Sequence, residues 1–202
     1  MFRRKFIKNS LLSIPFLSSG NLLGISDEPL KIGLAQWSLN KSINSGKLDN
    51  LDFAKVAKEQ FGIEVVEYVN QFFHNKAKNK SYLSELRKRS NGIGVRNLLI
   101  MIDNEGNLGE SNYRKRTKAV ENHKKWVEAA QFIGCDHIRV NAAGSGSESE
   151  VSKYASESLF ALGEFSKPFG IDVIVENHGG YSPDARWLVD VIKKSKLNNI
   201  GT

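Results

Sequence analysis

The stretch I-D-V-I-V-E-N-H-G-G, Ile171 to Gly180, decides the fold. An apolar run rich in Val and Ile stops at a carboxylate, an amide, an imidazole and two glycines. Parallel strands covered on both faces are nearly continuous in such residues, and in α/β folds ligands sit beyond the carboxyl ends of the strands. The stretch therefore reads as a buried strand that delivers Glu176, Asn177 and His178 to a site.

Outward from this strand, short apolar runs alternate with longer segments of helical period from Leu30 onward, the signature of repeated βα units. Strands are expected at 31–37, 63–69, 95–102, 137–140 and 171–176, and the start of a sixth at 199–202. Helices are expected at 51–60, 81–90, 112–133, 150–169 and 183–194, with Asn91-Gly92 forming a left-handed cap on the second. Polar residues recur at every strand exit: Gln36 and Ser38, Glu67 and Asn70, Asp103, Arg139 and Asn141, then Glu176 to His178. An open doubly wound sheet concentrates its site at one switch point, so this spread favours an α/β (β/α)8 TIM barrel. What is seen is an incomplete barrel of about five βα units plus the start of strand six. On that reading residues 25–202 are the N-terminal part of one barrel domain with its C-terminal strands absent. Such a chain, with unpaired parallel edges, is expected to express poorly or aggregate in isolation.

The composition, 40% hydrophobic and 25% charged over 202 residues, is that of a globular protein. The net charge of +7 owes four positive charges to Arg3, Arg4, Lys5 and Lys8, all ahead of the first acid, Asp27. Without them the balance is about +3, too modest to argue for a nucleic-acid partner. A single cysteine, Cys135, rules out an internal disulfide framework and a multi-cysteine metal site. His123 falls on the inward stripe of its helix and reads as a satisfied core or interface histidine. The Gly/Ser loop from Asn141 to Ser147 reads equally well as a flexible turn or as a place where backbone N–H groups meet an anion.

Residues 1–24 have a basic start, an apolar middle and a small-residue end, the plan of an export signal. R-R-K-F-I-K, Arg3 to Lys8, resembles the twin-arginine signal, which implies a periplasmic or exported protein; a cytoplasmic protein with a basic N-terminus is the alternative. The apolar part is too short for a stable membrane anchor. A fusion of residues 1–30 to a reporter that stays in the cytoplasm would refute export.

At the end of a buried strand, Glu176 can serve as a metal ligand, a general base or a structural partner of Arg139 on the neighbouring strand. Burial makes its charge costly unless a cation, an arginine or several N–H donors meet it. Hard divalent ions favour carboxylates, and Mn²⁺ also accepts imidazole.

Several segments together resemble the sugar phosphate isomerases/epimerases of the xylose-isomerase-like TIM-barrel superfamily. They are L-A-Q-W-S-L (34–39), V-E-Y-V-N-Q-F-F (66–73), L-I-M-I-D (99–103), E-G-N-L-G (105–109), A-V-E-N-H-K-K-W-V (119–127), I-R-V-N-A-A-G-S (138–145) and V-I-V-E-N-H-G-G (173–180). The resemblance implies a divalent metal, Mn²⁺ or Mg²⁺ ahead of Zn²⁺ or Co²⁺, held by four ligands at the ends of strands five to eight. Only the first of these has a counterpart here, Glu176. It further implies a sugar or sugar phosphate as substrate, with metal-assisted proton transfer through an enediolate between two carboxylates, one of them Glu176. Glu67, Asn141 and His178 would then bind substrate hydroxyls or orient ligands. Two rival functions are a secreted carbohydrate-binding relative without catalysis and, ranked lower, a metal-dependent abasic-site endonuclease.

Overall fold

A computed structural model describes residues 31–202; the expected export signal lies outside the described residues. Six parallel strands form one sheet in the order of the sequence. They are β1 (Gly33–Ala35), β2 (Val65–Val69), β3 (Arg96–Met101), β4 (His137–Asn141), β5 (Asp172–Glu176) and β6 (Ile200–Gly201). Between them run α1 (Asn40–Asn44), α2 (Phe53–Phe61), α3 (Lys80–Gly92), α4 (Tyr113–Ile133), α5 (Glu148–Ser166) and α6 (Ala185–Ser195). The result is a TIM-barrel-like arc, a partial barrel in which β1 and β6 are the two edges.

Local chemistry starts and stops these elements where the sequence places the signals. Asp184 caps α6 by accepting from the Arg186 and Trp187 N–H groups at 2.7 and 3.2 Å, and Ser147 with Glu150 forms a capping box on α5. The cap expected at Asn91-Gly92 is displaced: α3 continues through Gly92, and the left-handed residue is Gly94, at φ 72°. Strand one is shorter than expected because the chain turns into a 3₁₀ segment, Gln36–Leu39, as soon as Gln36 is buried. There Gln36 Nε2 donates to Asn50 Oδ1 (2.5 Å), and its Oε1 accepts from the Val69 N–H (2.9 Å).

The strands were expected to be buried on both faces, and one face differs. Along β4, Ile138 and Val140 are fully buried, whereas His137, Arg139 and Asn141 are only partly so; β5 alternates likewise, with Val173 and Val175 inside and Ile174 and Glu176 half-open. The buried set belongs to the main core, which includes Trp126, Val127, Ala130 and Ile133 of α4 and Leu159 and Leu162 of α5. The other set lines the concave face, which an arc of six strands does not close over.

A bulge settles which residues reach that face. Val66 pairs with Asn97 but Glu67 pairs with Leu99, so Leu98 is an extra residue on β3. Before it, Asn97 faces the helices, donating to Ser90 Oγ (3.0 Å) and Ile133 O (2.9 Å). After it, Leu99 and Met101 line the concave side. One inserted residue reverses a period-two pattern, and Asp103 thereby joins the concave set.

Candidate active site

The carboxyl ends of the strands surround a cavity of about 900 Å³. Its wall includes Trp37 and Ser38 after β1, Gln71 after β2, Asp103 to Asn107 after β3, Arg139, Asn141 and Ala143 from β4 and its loop, Glu176 and His178 from β5, and His123 from α4.

Arg139 is at its centre. Its side chain is 12% exposed; Nη1 donates to Glu176 Oε2, and Nη2 lies 3.8 Å from Asp103 Oδ2. Burial lowers the Arg139 pKa while Asp103 and Glu67 oppose that fall, so the guanidinium is held by the acids around it. Asp103 is fixed in turn. Its Oδ1 accepts from Asn141 Nδ2 at 2.9 Å and its Oδ2 from Gln71 Nε2 at 3.3 Å. Asn70 clamps its backbone through Nδ2 to the Asp103 carbonyl (2.9 Å) and Oδ1 from the Asp103 N–H (3.0 Å). Because the Asn141 amide must donate to a carboxylate, its Oδ1 is the atom left over, and it is buried without a hydrogen-bond partner.

The four site residues expected from sequence separate into two groups. Glu176, Asn141 and His178 all line the main cavity, with His178 Nδ1 3.8 Å from Glu176 Oε2 and its side chain largely exposed. Glu67 is absent from that wall. It pairs with Ala35 and Leu99, further back along the sheet than Asn141 and Glu176, which pair with each other. It lines a second hollow of about 570 Å³ shared with Arg139, Ile174 and Glu176. Burial raises the Glu67 pKa, with Arg139 pulling the other way. Gln36, grouped with the strand-exit residues in the sequence, is fully buried in the Asn50 and Val69 hydrogen bonds.

The loop after β3, long enough by sequence to reach over a site, supplies Asn104 to Asn107 to the wall. It is pinned to α4: Trp126 Nε1 donates to Glu105 Oε1 (2.6 Å), Lys125 Nζ pairs with the same oxygen (2.7 Å), and Asn122 Nδ2 donates to the Glu105 carbonyl (3.1 Å). It is also joined to the β4 loop, where the Gly109 N–H donates to Ala143 O at 2.7 Å. A Cβ on Gly144 would stand 2.1 Å from Gly109 O, so only glycine permits this crossing. Trp37, half-exposed and stacked on Phe72 at 5.9 Å, stands on the β1 side of the mouth.

Among the described residues no group of three or more His, Cys, Asp and Glu side chains is arranged to hold a metal ion. Glu176 and His178 have the right donor chemistry for a divalent ion, yet the charge beside Glu176 is already a guanidinium. By themselves the described residues do not fit a metal site. No helix among them is long and apolar enough to cross a membrane.

The sequence model of a family described as Xylose isomerase-like TIM barrel matches residues 53–202. The chain belongs to this family. No curated protein sequence matches it. Solved structures with the same fold include a D-psicose 3-epimerase from Clostridium cellulolyticum H10 with D-tagatose, at TM-score 0.69 and 13% identity over 85% of this chain and 62% of that one. The IOLI protein with a bound zinc atom superposes at TM-score 0.65 and 13% identity over 85% and 61%. A 3-keto-D-glucoside 4-epimerase from E. coli does so at TM-score 0.58 and 16% identity over 76% and 63%. At these identities the likeness is one of fold, and the chain spans roughly three fifths of each of these structures.

Proposed function

We propose that the full-length protein is a sugar isomerase or epimerase that moves a proton at a carbon next to a carbonyl. The observation that carries this is Glu176: a carboxylate at the end of β5, in contact with the Arg139 guanidinium, at the wall of a cavity large enough for a monosaccharide. Epimerases on the same fold, one of them solved with D-tagatose, support it.

On this reading Glu176 takes the proton from the substrate carbon, the C–H electron pair moves toward the carbonyl, and an enediolate forms. A second carboxyl group, protonated and outside the described residues, donates its own proton to the opposite face for epimerisation; for isomerisation the protonated Glu176 gives its proton to the adjacent carbon. Arg139 also reaches Asp103, so its guanidinium keeps a partner when Glu176 turns to the substrate. Asn141 and His178 orient substrate hydroxyls from the same wall; Glu67 acts from beneath through Arg139. Glu176 is also proposed as one ligand of a divalent ion, Mn²⁺, Mg²⁺, Zn²⁺ or Co²⁺, whose other ligands lie outside the described residues. The IOLI protein's zinc supports that assignment, and such an ion would polarise substrate oxygens.

The test is exchange of solvent deuterium into a ketose by the full-length protein. Glu176→Gln is expected to slow exchange about 100-fold or more. Unchanged exchange in a folded Glu176→Gln variant would overturn the assignment.

A further inference from the structure

His123 is a buried titratable side chain that the proton transfer does not use. It is only 2% exposed, yet it lines the main cavity. Its ring is oriented from within α4, Nδ1 lying 2.7 Å from the Ala119 carbonyl. A carbonyl oxygen only accepts, so Nδ1 carries the hydrogen and Nε2 is left with a bare lone pair. Nε2 has no hydrogen-bond partner among the described residues, and the side chain lines the cavity. Burial lowers the His123 pKa below its usual 6.5, which keeps the imidazole neutral near pH 7.

The surroundings share this polarity. The Asp103 carboxylate, itself an acceptor, lines the same wall. Arg139, the cation within reach, is already engaged by Glu176 and Asp103. A wall that offers lone pairs and negative charge recognises O–H donors and repels a phosphate group.

We propose that His123 Nε2 accepts a hydrogen bond from a hydroxyl of an unphosphorylated sugar, and that the wall it forms with Asp103 selects the neutral polyol end of the substrate. This rests on the sugar reading of Glu176 and adds the substrate class to it. His123 is thus a specificity residue, distinct from the carboxylate that moves the proton.

The test is an NMR titration of the full-length protein, labelled with ¹⁵N-histidine, with D-fructose and separately with D-fructose 6-phosphate. D-Fructose is expected to shift the bare Nε2 signal of His123 and to bind more tightly than its phosphate. His123→Phe should weaken D-fructose binding about tenfold, and His123→Gln, which keeps an acceptor near the Nε2 position, should restore most of it. Thermal melts of both variants establish that they fold. If D-fructose binds and Glu176→Gln alters its turnover while His123→Phe binds it as the wild type does, the His123 assignment fails and the isomerase reading stands. Preferred binding of the phosphate overturns the wall's proposed selectivity. If neither sugar binds the folded protein, the sugar reading fails and takes this inference with it.

Discussion

Glu67 and Glu176 are both acids on the concave face, and their surroundings treat them differently. Glu176 has a guanidinium in direct contact, whereas Glu67 is raised by burial more than Arg139 lowers it. A carboxyl group whose folded pKa exceeds its unfolded value favours the folded state fully below the unfolded pKa, near 4.5. That contribution is lost as the pH rises through the folded value. Glu67→Gln, which carries no charge to bury, is therefore expected to gain stability relative to wild type on going from pH 4 to pH 7. Thermal melts at the two pH values check this. A relative loss at pH 7 would mean that the pairing with Arg139 outweighs desolvation. The sequence made Glu176 legible because an apolar run ends on it. His123 was legible only as an inward-facing residue, since helical period tells which side of α4 it occupies but not that the side includes a cavity wall. Gln36 misled for a related reason: polarity at a strand exit looks the same whether the amide meets a ligand or, as here, Asn50 and the Val69 backbone.

At the scale of elements, all five expected strands and the start of the sixth are present, and the five expected helices correspond to α2 to α6. What periodicity could not show was geometry that depends on distant partners. The aliphatic run from Leu98 to Ile102 contains no polar residue to betray the bulge at Leu98, yet that bulge turns Met101 and Asp103 to the concave face. The short α1 and the 3₁₀ segments at Gln36–Leu39 and Asn70–Phe73 were likewise not anticipated, because one or two turns give too few repeats to register a period. The loops after β3 and β4 act as one wall through the Gly109–Ala143 hydrogen bond and the Gly144 crossing. Gly144→Ala, whose Cβ would collide with the Gly109 backbone, is expected to cost about 3 kcal/mol in urea denaturation. A cost below about 0.5 kcal/mol would show that the two loops move apart freely.

For the molecule as a whole, the arc has a buried convex side under helices and a concave side with strand edges at β1 and β6. Phe61, Phe160 and Val189 are large apolar side chains that remain exposed among the described residues. The isolated 202-residue chain is therefore expected to self-associate as its concentration rises, measured by light scattering; a monomer with one sharp melting transition would contradict this. The sequential strand order bears also on how the molecule is made. Among the described residues each strand after β1 pairs with the one synthesised just before it. Assembly can thus advance from the N-terminus during translation, one βα unit added to a finished edge at a time. Once β4 has emerged and paired with β3, Arg139 and Asp103 lie on neighbouring strand ends, and the Glu176 that completes the cluster comes with the next strand.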